Sequence, residues 1–197
     1  VGEALHSMAA LAWATGASDD CERLAQEGLS IAVGPSMASL RAELLMAHTT
    51  AQAIKGQIIP AIAGLTEAEG IFRELRLQRP RCLTLANLSE LLLWLGEPHE
   101  ALQRAKRSVE LAKETDYRLG LTASLRATAA AYLELGQYSE VDIALRKALA
   151  LAQETGIHEE EVACLTLLAQ SALERGQRQT ALKAAKQGIQ RADSRDP

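Results

Sequence analysis

Histidine, cysteine and clustered carboxylates are the side chains most able to carry chemistry in this chain. The four histidines are His6, His48, His99 and His158. They are scattered, and none joins a Cys, Asp or Glu in a metal-binding motif. Cys21, Cys82 and Cys164 have no CxxC or paired spacing, so they read as reduced thiols of a cytosolic protein. Cys21 and Cys164 stand in columns held elsewhere by small or apolar residues, which makes them packing residues. Glu159, Glu160 and Glu161 form an acidic run at a helix start, where carboxylates complement the helix dipole. The glycines are too dispersed for a phosphate-cradling loop, and no Ser-His-Asp or Cys-His set is suggested by local motifs. These residues predict no catalytic, cofactor or metal site, and a protein that acts by binding rather than as an enzyme.

The elements that position these residues follow from composition and period. The chain has 197 residues, 48% hydrophobic and 23% charged, with only 3% aromatic and an excess of Ala and Leu. That balance favours helix over a β-sandwich or barrel. A net charge of −4 argues against nucleic acid or an anionic membrane as the main partner. No apolar run is long enough to span a bilayer, and the opening VGEALHSMAALAW lacks the basic segment of a signal peptide. A cytoplasmic location is expected.

Gly16, Gly56, Gly96, Gly136 and Gly176 recur at a spacing of 40 residues. Leu5, Leu45, Leu85, Leu125 and Leu165 precede them by a constant interval. Small residues keep register in two further columns: Ala9, Thr49, Ser89, Ala129, Ala169, and Cys21, Ala61, Ala101, Val141, Ala181. Each unit reads as two helices. Leu85, Leu88, Leu92 and Leu95 form one apolar stripe, Gly96 closes that helix, and Pro98 opens the next. Breaks between units are expected at Gly34-Pro35-Ser36, Arg79-Pro80, Thr115-Asp116 and Thr155-Gly156. A lone hairpin cannot bury its second face, but five stacked in a row can. The expectation is one all-α domain over 1–197, a superhelical solenoid of five helix-turn-helix hairpins. The repeats span about 2–35, 36–78, 79–116, 117–156 and 157–195.

This pattern resembles the tetratricopeptide repeat. Leu85, Leu88-Ser89, Leu92, Gly96, Ala101 and Ser108 fit its signature, as do Leu125, Ala129, Tyr132, Gly136, Leu145 and Ala148. The phrases GEPHEAL, GQYSEV and GQRQTAL look like the family's turn and second-helix opening. The long period, with ELAKETDY and ALAQETGI, is similar to the sensor regions of maltose-activator-type bacterial regulators and to kinesin light chains. The resemblance implies that the first helix of each repeat lines a concave surface. Carried over by position, that surface holds Glu3, His6 and Trp13, then Glu43, Met46, Thr50 and Ile54. Repeat three contributes Ala86, Glu90, Leu93 and Trp94, and repeat four Arg126, Ala130, Leu133 and Glu134. Repeat five contributes Thr166, Gln170, Leu173 and Glu174. Of these, Glu43, Met46, Thr50, Glu90, Trp94, Arg126, Glu134, Thr166 and Gln170 are the expected partner-binding residues. Trp94 is either an apolar anchor on the groove or a core residue against the next repeat, and Trp13 has the same two readings. Arg126 is expected to clasp a partner carboxylate. The surface lacks the Lys/Arg/Asn cluster with which some family members hold a chaperone's carboxylate tail.

Two places depart from the pattern. His48 and Gln52 stand in repeat two where large apolar residues belong. They mark either a polar pocket or a loosely built repeat whose polar groups bond locally. Gly64 and Gly70, in the second helix of that repeat, each cost about 1 kcal/mol relative to Ala, so repeat two is expected to be the least stable or most bent. Leu182, Ala185 and Ile189 form an apolar face on the final helix with nothing after them to cover it. Either further repeats follow in a longer parent protein, which is expected, or this end self-associates. Three functions remain in view: a scaffold or regulatory module that binds a protein or peptide on its concave face, a domain that senses a small-molecule effector, and a structural self-assembly unit.

Overall fold

The computed structural model describes residues 1–193, without the side chains of Trp13 and Ala14. The expectation for Trp13 therefore lies outside the described residues. The described chain is an all-α solenoid of five helical hairpins. These are α1 Gly2–Ala14 with α2 Ser18–Ile31, α3 Ala38–Ile54 with α4 Ile58–Glu74, and α5 Gln78–Trp94 with α6 Pro98–Glu114. They continue with α7 Arg118–Glu134 and α8 Tyr138–Thr155, then α9 His158–Glu174 and α10 Arg178–Asp193. A single 3-10 turn, Pro35–Met37, joins the first two hairpins.

The recurrent glycine shows how sequence sets each turn. Gly96 sits at φ 77°, the left-handed conformation that a side chain resists. There its N–H bonds the Leu93 carbonyl, and the Glu97 N–H bonds the Leu92 carbonyl. This is the double closure of a Schellman end, which satisfies carbonyls the helix leaves open. The turns between hairpins use the same geometry without always using glycine: Arg76 and Asp116 hold it at φ 57° and 46°. Arg79-Pro80 is a correction. Those residues are not a break but lie in the first turn of α5. Proline is tolerated there because the first helical N–H groups have no intrahelical partner. The break falls instead at Leu75–Leu77, around Arg76.

The small columns bring the helices together. Cys21, Ala61, Ala101, Val141 and Ala181 are all buried at the crossings. Leu45, Leu85 and Leu165 fill the space beside them. Gly64, expected to be a cost, has a packing role: an added Cβ there would collide with Cγ2 of Thr49 on α3. Gly70 on the same helix faces open space. Between repeats, Lys55 pairs with Asp19 and Glu22, Arg81 with Glu69, and Arg175 with Asp142, while Arg41 pairs with Glu67 within repeat two. The first helices pack as a layer: α5 lies against α7 and α7 against α9, whereas α3 stands off from α5. Among the described residues no helix is long and apolar enough to cross a membrane.

Candidate functional site

The first-helix layer forms a trough, and helical spacing decides what faces it. On α5, Asn87, Glu90, Leu91 and Trp94 recur at three and four residues, the period of one helix face. On α7, Arg126, Ala130, Leu133 and Glu134 do the same, and on α9, Ala163, Thr166, Leu167 and Gln170. Where α3 stands off from α5, a cavity of about 410 Å³ opens between Thr49, Thr50, Ala53 and Ile54 on one side and Asn87, Glu90 and Trp94 on the other. A second cavity of about 440 Å³ lies across α5, α7 and α9. A third, about 210 Å³, continues the trough toward α1 between His6, Glu43, Met46 and Thr50.

The nine expected partner-binding residues each line one or more of these cavities, whereas Glu3, Leu173 and Glu174, also expected on the concave face, line none of them. Trp94 belongs to two of them and is 63% exposed. It therefore stands on the groove and not in the core. Ala86 is different: it is buried against Ala105 and Ala127 and does not reach the trough. The trough also contains Asn87, Ala163 and Leu167, which sequence reasoning missed. For Asn87 a signal existed, since it breaks a column otherwise held by Ser7, Ala47, Ala127 and Leu167.

Arg126 corrects an expectation. Its guanidinium does not await a partner's carboxylate, because two carboxylates of the chain already hold it. Nη1 donates to Glu90 on α5 at 2.5 Å, and Nε donates to Glu160 on α9 at 2.8 Å. One side chain thus straps three successive first helices together. Burial pulls its pKa down, but Glu90 and Glu160 outweigh that and hold it above the ordinary value. Glu160 and Glu161 likewise do more than complement a helix dipole. Glu161 is buried and accepts from Nε2 of Gln153 at 3.0 Å and Nε of Arg191 at 3.2 Å.

Neither His48 nor Gln52 lines the three cavities. The Nδ1 of His48 is buried without a hydrogen-bond partner, so the local bonding considered for this pair is not met at that atom. Within the trough, His6 Nδ1 lies 3.6 Å from Glu43. The three cysteines are buried and unpaired. Burial pushes the Cys164 thiol up to about 12. Among the described residues, no group of three His, Cys, Asp or Glu side chains could hold a metal ion.

Residues 81–154 match the tetratricopeptide repeat family, which covers repeats three and four. No curated protein sequence matches the chain. Solved structures with the same fold include the nearly identical TPR-like repeats of a kinesin light chain from Podosopora anserina. That likeness is 22% identical, covers 96% of this chain and 93% of that one, and has a TM-score of 0.70. A Rap protein complexed with competence and sporulation factor superposes with a TM-score of 0.84 at 16% identity, over 96% of this chain and 53% of that one. Aspartyl phosphate phosphatase F from Bacillus subtilis gives 0.73 at 14% identity, over 97% and 59%. The chain spans little more than half of the last two proteins. At these identities the likeness is one of fold, the tetratricopeptide-type solenoid.

Proposed function

We propose that the chain is a binding scaffold that receives an extended segment of a protein or peptide partner along its concave trough. One observation carries this reading: a tryptophan, 63% exposed, lines both of two cavities that also share Glu90. Large exposed aromatics rimmed by polar groups are the side chains that most often anchor an interface. The trough is built on helices cross-braced by Arg126, so little ordering cost falls on the scaffold when a segment docks. The similar Rap structure, solved with competence and sporulation factor, adds support by analogy of fold.

The test is partner retention by the full chain against Trp94→Ala. The substitution removes an exposed ring, so the melting temperature should stay within about 2 °C of wild type. Affinity for the partner should fall at least about tenfold. Unchanged affinity would remove the groove from consideration. The same comparison, read by mass spectrometry for bound metabolites, tests the small-molecule effector reading associated with maltose-activator-type regulators. A cytoplasmic setting suits the three unpaired cysteines.

A second reading has its own observation. Leu182 and Ile189 are 57% and 62% exposed on α10, and Met8 and Leu11 are exposed at the opposite end on α1. End-to-end association of copies would cover both faces in the manner of an internal repeat junction. A concentration-dependent mass shift in light scattering, abolished by Ile189→Glu, would support it. A monomer at every concentration would refute it.

A further inference from the structure

The row of residues that ends the first helices has a charge pattern the fold alone does not explain. Ile54, Trp94, Glu134 and Glu174 are the last residues of α3, α5, α7 and α9, and occupy the same repeat position. The row therefore runs from apolar to acidic along one rim. Each of these helices also ends at that rim with the negative pole of its dipole. Deeper in the trough lie Glu43 and Glu90, with Glu160 beside them.

Against these carboxylates the three trough cavities contain one Lys or Arg, Arg126, which Glu90 and Glu160 occupy. The cations next along the chain from the rim are also engaged. Lys55 pairs with Asp19 and Glu22, and Arg175 pairs with Asp142. Glu134 is exposed, shares its cavity with Trp94 and Glu90, and has no hydrogen bond or ion pair among the described residues. A cation placed there meets an indole face and a free carboxylate at the negative end of a helix dipole.

We propose that the trough selects a cationic segment. Its occupant is an extended peptide with an arginine or lysine between Trp94, Glu90 and Glu134, and an apolar side chain in the neighbouring cavity by Ile54 and Ala53. This rests on the groove reading above and names the partner's chemistry. Arginine suits the site better than lysine, since its flat guanidinium can stack on the indole while donating to carboxylates on either side.

The probe is a set of labelled peptide pools of about eight residues, with one position fixed as Arg, Gln or Glu and the others mixed small and apolar residues. Binding to the full chain is read by fluorescence polarisation at low and high salt. Arg pools should bind about tenfold more tightly than Glu pools, which is about 1.4 kcal/mol. The preference should shrink as salt screens it. Glu134→Gln should reduce the preference at least about threefold while leaving the melting temperature unchanged. If Gln and Glu pools bind as tightly as Arg pools, and Trp94→Ala still weakens them all, the charge inference fails and the groove reading stands. If Trp94→Ala changes no pool, or no pool binds, the groove reading fails and takes the inference with it.

Discussion

Two glycines on one helix should respond oppositely to the same substitution. Gly64 and Gly70 both lie inside α4. Propensity alone predicts that alanine at either position stabilises the helix by up to about 1 kcal/mol. At Gly70 an added Cβ meets nothing within 4 Å, so Gly70→Ala should realise that gain. At Gly64 the new carbon would overlap Cγ2 of Thr49, a residue that is 1% exposed and cannot swing aside. Overpacking of this kind costs about 1–3 kcal/mol and outweighs the propensity gain, so Gly64→Ala should be destabilising by up to about 2 kcal/mol net. The offending atom can be removed by Thr49→Ser. That change keeps the hydroxyl that donates to the Met46 carbonyl at 3.0 Å. The double variant Gly64→Ala/Thr49→Ser should recover at least half of the loss. Urea denaturation followed by circular dichroism measures the wild type and all four variants. Hydrogen exchange of α3 and α4 amides guards against the non-two-state unfolding that repeat arrays can show. The reasoning is refuted if Gly64→Ala is as stabilising as Gly70→Ala, or if Thr49→Ser fails to couple with it.

Two further stability outcomes follow from the buried groups. Arg126→Met leaves Glu90 and Glu160 facing each other without their cation, and should cost about 2–3 kcal/mol in urea denaturation. Adding Glu90→Gln and Glu160→Gln should restore most of it, and a triple variant no better than Arg126→Met would contradict the strap. The second concerns alkali. Cys164 has a folded pKa near 12 against an ordinary value of 9.0, so the unfolded chain gives up this proton first. Its stabilising contribution is complete below about pH 9 and is lost as pH rises toward about 12. Relative to Cys164→Ala, the wild type should lose up to about 4 kcal/mol across that window in a pH series of urea melts. Parallel curves for the two proteins would rule this out.

The chain by itself determined the period, and the period carries most of the fold. A glycine column every 40 residues dictates where helices close, and registered Leu and Ala columns dictate which faces meet. Helix placement was legible because it depends on spacing along the chain, whereas the trough-facing set, carried over from the repeat resemblance, included the buried Ala86 and omitted Asn87, Ala163 and Leu167. The tertiary structure decided what spacing cannot express. Gly64 and Gly70 look alike in sequence, and only the approach of Thr49 separates them. Arg126 looked available until helices α5 and α9 brought Glu90 and Glu160 to it. Trp94 could have been core or surface, and its exposure was settled by where α3 stands off from α5. In each case the deciding atom belongs to another helix, and its position depends on how successive hairpins stack. Local periodicity specifies faces, whereas the distance and tilt between faces come from the packing of all their side chains together.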